Sequence, residues 1–83
     1  MTDNDPTPVT VVLTIDARGL ACPLPVLRLR KALTGRPSGV VVELLATDRA
    51  AARDVPAFCA GAGHRLVSTH DEDGMLRFVI RRA

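Results

Sequence analysis

Aromatic side chains are nearly missing from this chain. It has no tryptophan and no tyrosine, and only Phe58 and Phe78. A core built from it must be aliphatic, and no stacking platform exists for unpaired bases. Charge of one sign is also missing. The formal net charge of +2 is too weak to argue for nucleic-acid binding. No apolar run approaches the ~20 residues that span a bilayer. The opening "MTDNDPTPVT" has neither a basic region nor an apolar stretch, so it does not read as a secretory signal. The expected location is the cytoplasm. Cysteine is scarce too: Cys22 and Cys59 form no CxxC pair and no metal-ligand cluster with His64 or His70. A disulfide framework is excluded on number alone, and both thiols are expected to be free.

What is present is enough for one small domain. The chain has 83 residues, of which 47% are hydrophobic, too many for disorder outside the ends. Residues 1–8 read as a loose acidic, proline-containing tail, and 9–83 as a single domain without internal repeats. "VTVVLTID" alternates, with Val9, Val11, Leu13 and Ile15 on one face, and predicts a half-buried strand. Gly19 then marks a turn. In "LPVLRLRKAL" the period changes. Val26, Leu29 and Leu33 share a helical face with Ala32, opposite Arg28 and Lys31. Gly35 and Pro37 stop that helix.

"GVVVELLA" predicts a central strand. Asp48 is a fitting N-cap for a second helix through "RAAARDVPAFCAGAG", with a break expected near Val55 because Pro56 follows. "HRLVSTHD" and "MLRFVIRR", joined by "EDG", predict a hairpin. The order is βαβαββ. The expected fold is an α/β (α+β) two-layer sandwich, a four-stranded mixed sheet with both helices on one face.

The chemistry gathers at "RGLACPLPVL". A proline is tolerated at the first helical position, where its missing N–H has no partner to lose. Pro23 is therefore expected to open the helix, Pro25 to lie in its first turn, and Cys22 to sit at the N-cap. A helix N-terminus favours thiolate over thiol, so the Cys22 pKa is expected to fall from ~8.5 toward ~3.5–7.5. Arg18 would help and Asp16 would oppose, according to where each points. A lone thiol without a resolving partner disfavours dithiol redox chemistry. Without a histidine in the motif, a cysteine hydrolase is equally disfavoured. Carrying a group on sulfur needs only one accessible nucleophile. Cys59, in an apolar helix, is expected in the core. His64 is expected to be structural and His70 to lie on the surface. Arg28, Arg30, Lys31, Arg49 and Arg53 are either a solvated face or a docking patch.

These residues resemble a known family. "DARGLACPLPVLRLRKAL" is similar to the signature of the TusA/SirA-like sulfur carriers, through Asp16, Gly19, Leu20, Cys22, Pro23, Pro25 and Val26. "ATDRAAARDVPAFCAGAGH" resembles the family's second motif, through Asp48, Arg53, Asp54, Pro56, Phe58, Cys59 and His64. The resemblance implies the same βαβαββ sandwich. It also implies that Cys22 accepts sulfane sulfur as a persulfide from a cysteine desulfurase or rhodanese. The sulfur then passes to an acceptor protein serving tRNA thiolation, sulfur oxidation or cofactor biosynthesis. Pro23, Pro25, Gly19 and Asp16 would position the thiol, and Arg18, Leu24, Arg28, Lys31, Arg49 and Arg53 would meet partners. No metal, organic cofactor, membrane or direct nucleic-acid contact is expected. Leu24 and Arg49 depart from the tRNA-linked branch, which often has an acidic residue and a proline there. The alternative expectation is a regulatory module with a redox-sensitive Cys22.

Overall fold

A computed structural model describes residues 10–83; the expected tail and Val9 lie outside the described residues. The order is β1 (Val11–Ala17), α1 (Leu24–Leu33), β2 (Val41–Ala46), α2 (Ala51–Ala62), β3 (Arg65–Glu72) and β4 (Met75–Arg81). The four strands form one sheet in the order β1-β2-β4-β3. β1 and β2 are parallel, as a βαβ unit requires, and β4 is antiparallel to both β2 and β3. This is the expected α+β sandwich.

Alternation decides which face is buried. Ile15 and Ala17 from β1, Val42, Leu44 and Ala46 from β2, and Leu76, Phe78 and Ile80 from β4 join one core. Leu29 and Leu33 of α1 and Ala51, Val55 and Cys59 of α2 close it from the helix layer. Phe78, the larger of the core's few anchors, is fully buried. Cys59 is 2% exposed, in agreement with its expected core position. At the hairpin, Asp73 (φ 52°) and Gly74 (φ 84°) both take positive φ, as a tight two-residue turn between twisted strands needs.

α2 corrects one expectation. The helix runs from Ala51 through Pro56 to Ala62 with no break near Val55. Proline removes one bond to the Ala52 carbonyl. Ala52 is exposed, so water can satisfy that oxygen. Meanwhile Ala51, Val55 and Cys59 keep a continuous buried stripe on the other side. Gly61 is helical rather than terminal, and Gly63 in the left-handed region (φ 78°) ends α2. His64 then accepts from the Ala83 N–H at Nδ1 (2.9 Å) and lies 5.6 Å from the Phe58 ring, a structural role as expected.

The register fixes the two ends of the sheet. Val11, Val41, Arg81 and Arg65 line one end; Ala17, Ala46, Leu76 and Asp71 line the other. Both loops that lead into helices, 18–23 and 47–50, leave the second end, and so does the hairpin turn.

Candidate functional site

The loop after β1 is built by short-range polar contacts. The Leu20 N–H donates to Ala17 O (3.2 Å), closing a turn whose third residue, Gly19, has φ 80°. The Gly19 N–H donates to Thr47 Oγ1 (2.8 Å), tying this loop to the one after β2. Asp16 braces the turn. Its Oδ1 accepts from the Arg18 N–H (3.1 Å) and Nε (2.9 Å), and its Oδ2 from Arg18 Nη2 (2.8 Å). The Arg18 guanidinium and backbone hold the Asp16 carboxyl down at about 2. Asp16 and Arg18 thus neutralise each other in the turn, and neither lies among the groups acting on the Cys22 thiol.

Cys22 is half-buried at the far end of that turn. Its N–H donates to Asp48 Oδ2 (2.8 Å), and the other oxygen of Asp48 accepts from the Ala50 N–H (2.9 Å). One carboxylate therefore grips the entrance of both helices. The N-cap of α2 is Ala50, with no side-chain cap, so Asp48 stands two residues ahead of its expected capping position and grips the turn that leads into the helix. Sequence reasoning missed its bond to Cys22. The partner is 26 residues away, so no local pattern could show it. These two backbone bonds hold the Asp48 carboxyl below the usual carboxylate range.

The helix start differs from the expectation by one residue. α1 begins at Leu24, with Pro23 at the capping position (φ −93°, ψ 13°) and Pro25 in the first turn. Cys22 stands one residue before the cap, and no side chain caps α1. The Cys22–Pro23 peptide bond is cis. The first helical bond runs from the Leu27 N–H to the Pro23 carbonyl (3.0 Å), which makes Pro23 the capping residue, and the Cys22 N–H turns to Asp48 instead.

The expected lowering of the Cys22 pKa is also reversed: the thiol is pushed up. Burial comes first, then the Asp48 charge, then a hydrogen bond to Asp54 and the Asp54 charge, with Arg53 opposing. The helix end has little to set against them. Pro23 and Pro25 carry no N–H, and the Leu24 N–H is spent on Ala21 O (3.0 Å). Burial alone pushes the Cys59 thiol up.

The expected docking residues separate. Arg49 pairs with Asp71 (2.6 Å) and Arg53 with its neighbour Asp54 (3.1 Å). Arg28 and Lys31 lie along α1, away from those pairs, in a groove beside β1. Leu24 is 47% exposed, and Leu27, one turn on, is 49% exposed. Sequence reasoning missed Leu27. Its signal was the i, i+3 spacing from Leu24 on the side that Leu29 and Leu33 do not share.

Fold and site together define a small two-layer domain that presents a single half-buried thiol where two helices start. The family model for the sulfurtransferase TusA matches residues 13–82, and the chain belongs to that family. The sulfur carrier protein TusA of Allochromatium vinosum is 39% identical over 69 residues, covering 83% of this chain and 91% of that protein. The sulfur carrier protein TusA of Pseudomonas syringae pv. syringae is 39% identical over 74 residues, covering 89% of this chain and 88% of its own. Among solved structures, the crystal structure of a SirA-like protein from Desulfitobacterium hafniense superposes with a TM-score of 0.73. The two are 32% identical, over 83% of this chain and 95% of that one.

Proposed function

We propose that this protein is a sulfurtransferase of the carrier type. Cys22 accepts sulfane sulfur as a persulfide from a cysteine desulfurase or rhodanese and hands it to an acceptor protein. One observation carries the reading. Of the chain's two thiols, Cys22 alone reaches the surface, and it is held by its backbone at the meeting of two helix starts. The names borne by its relatives, sulfur carrier proteins, support the carrying of sulfur.

The transfer is an exchange at sulfur. The Cys22 thiolate attacks the outer sulfur of the donor's persulfide. A bond forms between the two sulfurs while the donor's own S–S bond breaks. The electron pair leaves with the donor cysteine, which takes up a proton equivalent to the one Cys22 released. Nothing is oxidised or reduced overall. Delivery repeats the step with the acceptor's thiolate attacking the outer sulfur on Cys22.

Burial first, and then the carboxylates of Asp48 and Asp54, push the Cys22 thiol up and disfavour the thiolate, which is the nucleophile. A donor surface that brings positive charge toward Asp48 and Asp54 removes their part of that restraint at the moment of contact. Leu24 and Leu27 supply the apolar part of the same contact.

The test is an intact mass after incubation with a desulfurase, pyridoxal phosphate and cysteine. The expected product is heavier by one sulfur, about 32 daltons, and reverts on reduction. An absent adduct, or one that survives in Cys22→Ser, refutes the proposal.

A further inference from the structure

A groove of about 540 Å³ runs between the flank of α1 and β1, lined by Ile15, Arg28, Lys31, Ala32, Thr34 and Arg36. Cys22 is not part of it. Three of its six lining residues are cations, and the fold does not consume their charge. Arg28 Nη1 donates to Asp16 O (3.4 Å) and Arg36 Nε to Ala32 O (3.0 Å), both backbone oxygens. Among the described residues, none of the three forms an ion pair, whereas Arg18, Arg49, Arg53 and Arg77 all do. Asp16 is close enough to feel the Arg28 charge, but its oxygens are occupied by Arg18.

The groove borders an unpaired sheet edge. Among the described residues, β1 is the outermost strand and pairs with β2 on one side only. Its other edge offers main-chain donors and acceptors. Proteins commonly blunt such an edge with lysines on the strand itself. Here the strand reads VVLTIDA, without a basic residue, and Val11 and Val12 are 39% and 57% exposed. The cations stand on and just after the neighbouring helix instead, and of the three only Arg28 reaches the strand backbone, at the Asp16 carbonyl near its end.

We propose that this groove docks an acidic, extended segment of a partner protein. The segment adds to the free edge of β1 and sets its carboxylates against Arg28, Lys31 and Arg36. The spacing suits it. From Arg28 the helix advances roughly 7.5 Å to its end at Leu33, at a rise of about 1.5 Å per residue, and Arg36 stands beyond that end. Acids at three alternate positions of a strand span about 13 Å. The docked partner leaves Cys22 uncovered, so the carrier can be retained by its flank while its thiol engages a second centre. The inference stands on the groove and the edge alone and holds whatever Cys22 carries.

The probe is a fluorescein-labelled peptide of about nine residues alternating aspartate and valine. Anisotropy measures its affinity and amide shifts map its position. The expected result is binding that weakens with salt, with shifts confined to Val11–Ala17 and residues 28–36. The triple variant Arg28→Gln, Lys31→Gln, Arg36→Gln changes only exposed side chains and should retain its circular dichroism. It should bind at least about tenfold more weakly. A lysine–valine peptide should not bind. No binding at millimolar peptide, equal affinity in the triple variant, or shifts centred on Cys22 overturns the proposal.

Discussion

Replacing Asp54 by asparagine should make Cys22 more reactive at neutral pH and less reactive at high pH. The substitution keeps the shape of the side chain and removes one of the two negative charges that act on the thiol. Two unit charges about 4 Å apart in water interact by about 1 kcal/mol. That corresponds to about a fivefold gain in thiolate at pH 7. A less basic thiolate attacks more slowly, with a Brønsted slope of about 0.4–0.5, so each thiolate loses about a factor of two. The net rate at pH 7 should rise about two- to threefold. Above the titration range, where both proteins are fully ionised, the variant should be about twofold slower. The assay is the rate of iodoacetamide alkylation of Cys22 from pH 6 to 10, read by peptide mass, with buried Cys59 as an internal control. The profiles should cross. Parallel profiles, or a slower variant at pH 7, would refute the claim that carboxylates restrain this thiol. So would a wild-type Cys22 that titrates below an ordinary cysteine. The same sign governs stability. With a raised folded pKa, Cys22 contributes stability at neutral pH that is lost as pH climbs past the ordinary thiol range.

The remaining predictions concern the frame around the thiol. The Asp16 carboxyl should titrate near 2 by carbon-detected NMR, and Arg18→Gln should return it toward the ordinary range. Because the folded pKa is the lower one, the Asp16 contribution to stability is present above about pH 4 and disappears as pH falls toward 2. Phe78→Ala removes the fully buried aromatic anchor of the core and should cost about 3–5 kcal/mol in urea unfolding, much of the stability of a domain this small. A loss below about 1 kcal/mol would contradict the packing described.

The sequence shows what is decided locally. The alternation at Val11, Leu13 and Ile15, the β-branched run into β2, and the Asp73–Gly74 turn each place their element within a residue or two of its observed position. Local patterns are equally the source of the errors. Pro56 looks like a breaker when its neighbours are read alone, but the buried stripe of Ala51, Val55 and Cys59 holds α2 through it. Cys22 looks activated because a helix follows it. Burial is the first thing that raises its pKa, and the charges that add to it, Asp48 and Asp54, come from the loop ahead of α2 and from its first turn. The helix end is also poorer in donors than a generic one. Its prolines were visible from the start; the Ala21 bond that occupies the Leu24 N–H was not. The signs of charge in the site were thus legible as letters but not as neighbours.

The register of the sheet has a consequence for how such a domain can be combined with others. Val11 and Arg81 meet Val41 at one end of the sheet, and the thiol stands beyond the other. Strands of about seven residues at about 3.3 Å each separate the two by roughly 20 Å. A second module grafted ahead of β1 or behind β4 would sit at the foot of the domain. Its crown, where sulfur would change hands, stays clear. The architecture therefore lends itself to gene fusion, to tethering and to affinity handles at the foot of the domain, ahead of β1 or behind β4.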